Sequence, residues 1–434
     1  MISRAAVQLF FFFMLLFPAG FTRERGGILA VLLFFVLVKI LYQQRSGIRL
    51  AQPIVEITSA CVLVSLLWMA WGAANNAPGA LQVGSVFVVW PILYMILIGL
   101  MSNLKQLQPF LTTIVIATFG VELLCIGILL ESSGIINIDL ISRLEPLNAA
   151  VNLLYEGNAQ FNISSMSTFA FGLPFLVAKI LYARKLSRWS LFEIFVLLLG
   201  VVIILFSGKR AFWIIVAISP IVFVSFAKII GEKIALQRIL PLIFVSVAGV
   251  GLAFAVYDFK VATMVDIFVQ GFQFGDPNNV SAYRRAEQFD ALVKGWEENP
   301  LFGAGHGAAA EDKKGELTEA FAYELGYIAL LFQVGILGLA VYAVAVGWLF
   351  AQSIRIMVRN FATRDALLPL LTGTSCFLIA NATNPYLNKF DYLWVIFLPA
   401  AFVNAILLRS AHQRAKTRQK HLGEVIPATR NANE

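Results

Sequence analysis

Lys209 and Arg210 are adjacent cations in a four-residue break, Ser207-Gly208-Lys209-Arg210, between two strongly apolar runs. By the charge pattern derived below, that break lies on the side of a membrane where short loops are usually kept free of positive charge. Two cations there, with no acid next to Arg210, point to a bound anion, and lipid diphosphates are anions present at that depth. A second pair, Arg284 and Arg285, opens a polar stretch further on. Arginine suits phosphate because its planar fork makes two parallel hydrogen bonds. The alternative for both pairs is simple contact with lipid headgroups.

Two further residues in the same region carry proton-transfer chemistry. His306 is the one histidine outside the C-terminal tail. An imidazole titrates near neutral pH, so it is either a proton carrier or an ordinary surface histidine in a loop. Glu324 stands where an apolar run resumes, in Ala322-Tyr323-Glu324-Leu325-Gly326-Tyr327. It is either a helix-start acid favoured by the dipole or a carboxylate placed to take a proton from a hydroxyl.

From Ser281 to Asn299 the spacing predicts a helix, with Ser281 as its cap. Arg285, Phe289, Leu292 and Trp296 fall on one face, and Glu287, Lys294, Glu297 and Glu298 lie mostly elsewhere, as in a helix resting on a membrane surface. Pro300 stops it. The segment Asn299-Pro300-Leu301-Phe302-Gly303-Ala304-Gly305-His306-Gly307 then places three glycines where the backbone can turn and approach a ligand closely.

The elements that must hold these groups are membrane spans. The chain of 434 residues is 59% hydrophobic, above the ~45–50% of soluble domains, and its net charge is +8. The cations lie between apolar runs and in a tail, which suits membrane orientation and excludes nucleic acid as partner. At ~20 apolar residues per span, about twelve are predicted, near 5–21, 28–44, 54–71, 81–100, 109–130, 166–183, 189–206, 211–227, 239–256, 325–350, 366–383 and 391–408. The N-terminus resembles a signal peptide, but no convincing cleavage site follows, so it counts as the first span.

Alternate connections are rich in Lys and Arg, which puts them and both termini in the cytoplasm. Thr22-Arg23-Glu24-Arg25 and Ser207-Gly208-Lys209-Arg210 break the rule on the outer side, and Glu24 offsets Arg23. Two long segments, Glu131 to Ser165 and Tyr257 to Glu324, also lie outside. The expected organisation is spans one to nine over 1–256, a large folded outer loop over 257–324, three spans over 325–408 and a basic tail over 409–434. Glu122 is the one acid deep in a span, expected to be protonated or paired with a cation. Glu56, Lys179 and Glu193 sit near cytoplasmic ends, where long side chains reach the headgroups. Cys61, Cys125 and Cys376 fall in apolar runs and read as core residues.

In the C-terminal half, the chain resembles the O-antigen ligase and O-antigen polymerase superfamily. The resemblance rests on Ser207-Gly208-Lys209-Arg210 between two spans, and on Tyr283-Arg284-Arg285 leading to Pro300-Leu301-Phe302-Gly303-Ala304-Gly305. It closes with Gly335-Ile336-Leu337-Gly338-Leu339 in the span that follows. The N-terminal half matches only as a string of spans. Where ligases of the family typically carry a histidine, this chain has Glu324, which looks more like the members that polymerise repeat units.

The resemblance implies an all-α polytopic membrane glycosyltransferase in the bacterial inner membrane, without metal or cofactor. No D-x-D-type acidic pair occurs in the first outer segment. Its donor would be a polyprenyl-diphosphate-linked glycan. Arg210, Lys209, Arg284 and Arg285 would hold the diphosphate, and Glu324 or His306 would accept the acceptor's proton. Membrane lipids, a chain-length regulator and other polysaccharide assembly proteins are the implied partners. Two other functions remain open from sequence: a ligase moving a finished glycan onto a lipid or protein, and a transporter or flippase.

Overall fold

The computed structural model describes residues 2–43, 48–147, 150–154, 158–183, 187–232, 280–310 and 320–430. The span expected at 239–256 lies outside the described residues. Among them the chain is a helical bundle. Its main helices are α1 (Ile2–Leu16), α2 (Thr22–Gln43), α3 (Gln52–Ala74), α4 (Ala80–Leu100), α5 (Leu104–Ser132), α6 (Phe169–Tyr182), α7 (Arg188–Phe206), α8 (Arg210–Ile229), α9 (Val280–Glu298), α10 (Gly326–Arg359), α11 (Arg364–Ala380) and α12 (Trp394–Arg430).

Eight helices among the described residues are long and apolar enough to cross a membrane: α3, α4, α5, α6 with the 3-10 turn before it, α7, α8, α10, and α12 with its preceding turn. The protein is therefore a multi-pass membrane protein. Three other expected spans are helical but fall outside that set. The first is a shorter apolar helix, Ala5–Leu16, and α11 has 17 residues. The second is α2, whose 22 residues begin with Thr22-Arg23-Glu24-Arg25, so the expected outer loop is the first turn of the helix.

Local chemistry sets the helix ends. Ser187 and Ser190 form a reciprocal capping box at the start of α7, and Asn103 accepts from the Lys105 amide at 3.0 Å to open α5. Each such cap contributes ~1 kcal/mol. The segment from Glu131 to Ser165, expected to lie outside, contains a two-stranded antiparallel hairpin, β1 (Ala150–Leu154) and β2 (Asn158–Asn162), with Ala150 opposite Asn162.

The core lies where α11 packs on α6 and α8, around the fully buried Phe171, Phe175, Phe377 and Phe402. Polar pairs tie the helices at both ends of the bundle. Arg25 and Asp391 form a buried ion pair, and Asp391 also accepts from the Ala19 amide at 3.2 Å. Lys179 and Glu193 meet at 2.5 Å between α6 and α7, so they satisfy each other rather than reaching separately for headgroups. Glu122 is fully buried, and neither of its carboxylate oxygens has a hydrogen-bond partner among the described residues. The expected pairing with a cation is not seen there.

At the end opposite Asp391, Arg364 fastens three helices. Its Nε donates to the Met357 carbonyl at 2.7 Å, one Nη to Glu232 at 2.8 Å and the other to the Ile230 carbonyl at 3.1 Å. Tyr182 donates to the same Glu232 oxygen at 3.0 Å. Removing a buried guanidinium leaves its partners unsatisfied, at a cost of ~3–5 kcal/mol. Arg364→Ala is expected to lower the melting temperature of the detergent-solubilised protein sharply. An unchanged melting curve would show that the clasp contributes little.

Candidate functional site

The turn before α8 is built from its own side chains. Ser207 donates to the Ile204 carbonyl at 2.8 Å and accepts from the Lys209 amide at 3.3 Å, while Gly208 takes φ +65°. This points Lys209 toward the hairpin, where it bonds the Asn162 side chain, and its ammonium sits 5.7 Å from the Phe212 ring centre. Burial pushes the Lys209 ammonium down to about 8, so it is still largely charged at neutral pH.

Arg210 is the first residue of α8, half-buried, and close enough to Arg285 for the two like charges to repel. Nothing in the spacing of these arginines along the chain foretells that proximity. No carboxylate pairs with Arg210 among the described residues.

Arg285 lies near the start of α9, and its Nε donates to Glu324 Oε2 at 2.7 Å. One turn along the same helix, Gln288 Oε1 accepts from the Glu324 backbone amide at 2.9 Å. Positions three apart share a helix face, so α9 grips Glu324 by side chain and backbone at once. The ion pair is half-exposed, with side-chain exposures of 29% and 40%, and such pairs contribute ~1 kcal/mol or less to stability. Arg284 is exposed on the neighbouring face. Of the expected α9 stripe, Leu292 and Trp296 pack inward beside Phe332, whereas Phe289 remains exposed.

The glycine-rich segment after α9 docks on a broken helix. Within α10, Gly335 has φ +62° and ψ −173°, which no helix allows. The backbone groups freed at that break bond to the loop. The Ala304 amide donates to the Phe332 carbonyl at 2.9 Å and the Gly305 amide to Gln333 at 2.8 Å; the Ile336 amide donates to Pro300 at 3.0 Å and Leu337 to Leu301 at 3.2 Å. Gly303, at φ +67°, fits because a Cβ there would come within 2.6 Å of the Gly335 nitrogen and the Phe332 oxygen. Trp68 and Trp71 of α3 donate to the Phe302 and Gly303 carbonyls at 2.5 and 3.3 Å. The loop is thus inserted in the bundle as a structural wedge.

His306 is the tip of that wedge and fully buried, which corrects the picture of a surface histidine. It stacks on Phe87 with ring centres 5.0 Å apart, and Nε2 faces the Tyr342 hydroxyl at 3.3 Å, which meets Ser65 at 2.7 Å. Burial pushes the imidazole down to about 4, so it is neutral at ordinary pH. None of its polar neighbours touches Arg285 or Glu324. Its surroundings are α3, α4 and α10.

The structure therefore pairs Arg285 with Glu324, puts Arg210 within electrostatic range of Arg285, sets Lys209 beside Arg210 in the chain, and leaves His306 apart. Sequence reasoning missed Gln288 and Asn162. A glutamine three residues after Arg285 was the available signal for the first, while nothing local marked the second. Among the described residues, no group of three or more His, Cys, Asp or Glu is placed to hold a metal ion. Chemically, the cluster offers guanidinium groups for an anion and one half-exposed carboxylate for a proton.

Comparison of the sequence with known protein families and with characterised proteins finds no match.

Proposed function

We propose that this protein is a membrane glycosyltransferase that polymerises lipid-diphosphate-linked sugar repeat units on the outer face of a bacterial inner membrane, with both termini in the cytoplasm. The observation that carries the reading is the Arg285–Glu324 pair, with Arg210 within electrostatic range of Arg285 and its neighbour Lys209 bonded to the hairpin. Two guanidiniums and a nearby ammonium outnumber one carboxylate, which suits a diphosphate rather than a neutral sugar.

In the proposed reaction, the acceptor sugar's hydroxyl oxygen bonds the donor's anomeric carbon as the bond from that carbon to the phosphate oxygen breaks. The lipid diphosphate leaves with the electron pair, stabilised by Arg210 and Arg285. The hydroxyl proton passes to the Glu324 carboxylate. Glu324 rather than His306 is the acceptor, because His306 is sealed in the bundle. The resemblance to O-antigen polymerases supports the same assignment, and it makes ligase-type transfer of a finished glycan the nearest alternative.

The break in α10 favours a different second reading, a transporter, since discontinuous spans often frame a cargo site. The loop answers that break with four backbone hydrogen bonds, so those groups are not left for a cargo. A strain lacking the protein decides among the three. Single repeat units on the finished lipid are expected for a lost polymerase. Long lipid-linked chains that never reach an acceptor would indicate a ligase, and single lipid-linked repeat units retained on the cytoplasmic leaflet would indicate a flippase.

A further inference from the structure

Glu324 is engaged by a residue that the substrate would also want. Arg285 Nε holds Glu324 Oε2 at 2.7 Å, while Arg210 sits close enough to repel Arg285. Resting on the reading of this cluster as a diphosphate site, we propose that donor binding exchanges partners: the incoming diphosphate takes Arg285 from Glu324, and the carboxylate is released only when a donor is in place.

Three features make the exchange favourable. The ion pair is half-exposed, so water screens it and little is lost when it opens. A phosphate offers Arg285 a two-pronged contact in place of the single Nε bond and relieves its repulsion from Arg210. Glu324 does not drift away when its side chain lets go, because Gln288 of α9 still accepts from its backbone amide at 2.9 Å. Gln288 is thus a positioning residue, keeping the freed carboxylate at the site. The consequence is an order of events. The donor arrives first, and the proton acceptor becomes available to a hydroxyl only afterwards.

The test is a double-mutant cycle on the full-length detergent-solubilised protein, with inorganic pyrophosphate as the probe and calorimetry as the readout. If Glu324 competes for Arg285, Glu324→Gln binds pyrophosphate roughly fivefold more tightly than the parent, the gain expected from removing a competing exposed ion pair. The same substitution made on top of Arg285→Gln produces no gain, because the contested partner is gone. Equal tightening in both backgrounds would mean that Glu324 acts only through its field, and the exchange would be overturned. No tightening in either background overturns it too. Arg210→Ala separates this inference from the one beneath it. If Arg210→Ala weakens pyrophosphate binding while the cycle shows no coupling, the exchange alone fails. If pyrophosphate does not bind, or binds equally well without Arg210, the diphosphate reading fails and the exchange with it.

Discussion

Arg210→Ala is expected to abolish polymer while the protein remains folded in the membrane. Each hydrogen bond between a guanidinium and a phosphate contributes ~1.5–3 kcal/mol when partly desolvated. Losing a two-pronged contact of that kind corresponds to a drop of roughly 100-fold or more in rate. The fold should not suffer in proportion. Arg210 is half-buried, has no carboxylate partner among the described residues, and repels Arg285, so its removal relieves a like-charge repulsion. The result separates chemistry from stability: chain length on a polysaccharide gel collapses to single units, and membrane level and melting temperature stay near the parent. Arg210→Lys keeps the charge but not the fork, and an intermediate loss is expected. Normal chain length in the alanine strain would remove Arg210 from the reaction and leave the diphosphate reading without its main support.

What could be read in the sequence follows from how far apart the interacting groups lie. Hydropathy is a local signal, and it located the starts of the eight long apolar helices to within about five residues, although α10 and α12 run on well past the expected ends at 350 and 408. The turn at Ser207-Gly208-Lys209-Arg210 was equally legible, because charge between two apolar runs is conspicuous. The pairings were not. Arg25 and Asp391 stand 366 residues apart, and neither neighbourhood hints at the other. Glu324 was recognisable as an acid at a helix start, which is where α10 begins two residues on, but its capture by Arg285 and Gln288 depends on how α9 lies across that start. His306 shows the limit most clearly. A glycine-flanked histidine beyond a proline reads as solvent-exposed loop, and only the insertion of that loop between α3, α4 and α10 buries it. Insertion in turn requires a broken helix, and an apolar run containing Gly335 and Gly338 looks from sequence like an unbroken span.

That break supplies the other large expected effect. Gly335→Ala should leave little folded protein. Gly335 combines φ +62° with ψ −173°, a region essentially closed to residues with a Cβ, at a cost of ~1–3 kcal/mol. The added methyl would also run into the Leu301 carbonyl and, at 2.7 Å, the Gly303 nitrogen, both of them backbone atoms in the wedge. Overpacking of this kind costs ~1–3 kcal/mol more when the neighbours can yield. Here they are held by the crossed hydrogen bonds between Pro300–Gly305 and Phe332–Leu337, so yielding means undocking the loop. Together these terms are a large part of the ~5–15 kcal/mol that stabilises a typical domain.

Gly347 is the matched control. It lies in the same helix with nothing within 4 Å of a Cβ placed there, so Gly347→Ala is expected to be neutral or to gain ~0.5–1 kcal/mol of helix propensity. Size-exclusion profiles and melting curves of the two variants make the comparison. A Gly335→Ala protein as stable as Gly347→Ala would mean that α10 can straighten without the wedge. Because the wedge joins α9 to the helix that Glu324 precedes, a straightened α10 would also undo the placement of Arg285 against Glu324. The glycine break and the arginine cluster are therefore one construction, and damage to the first should be felt at the second even in variants mild enough to fold.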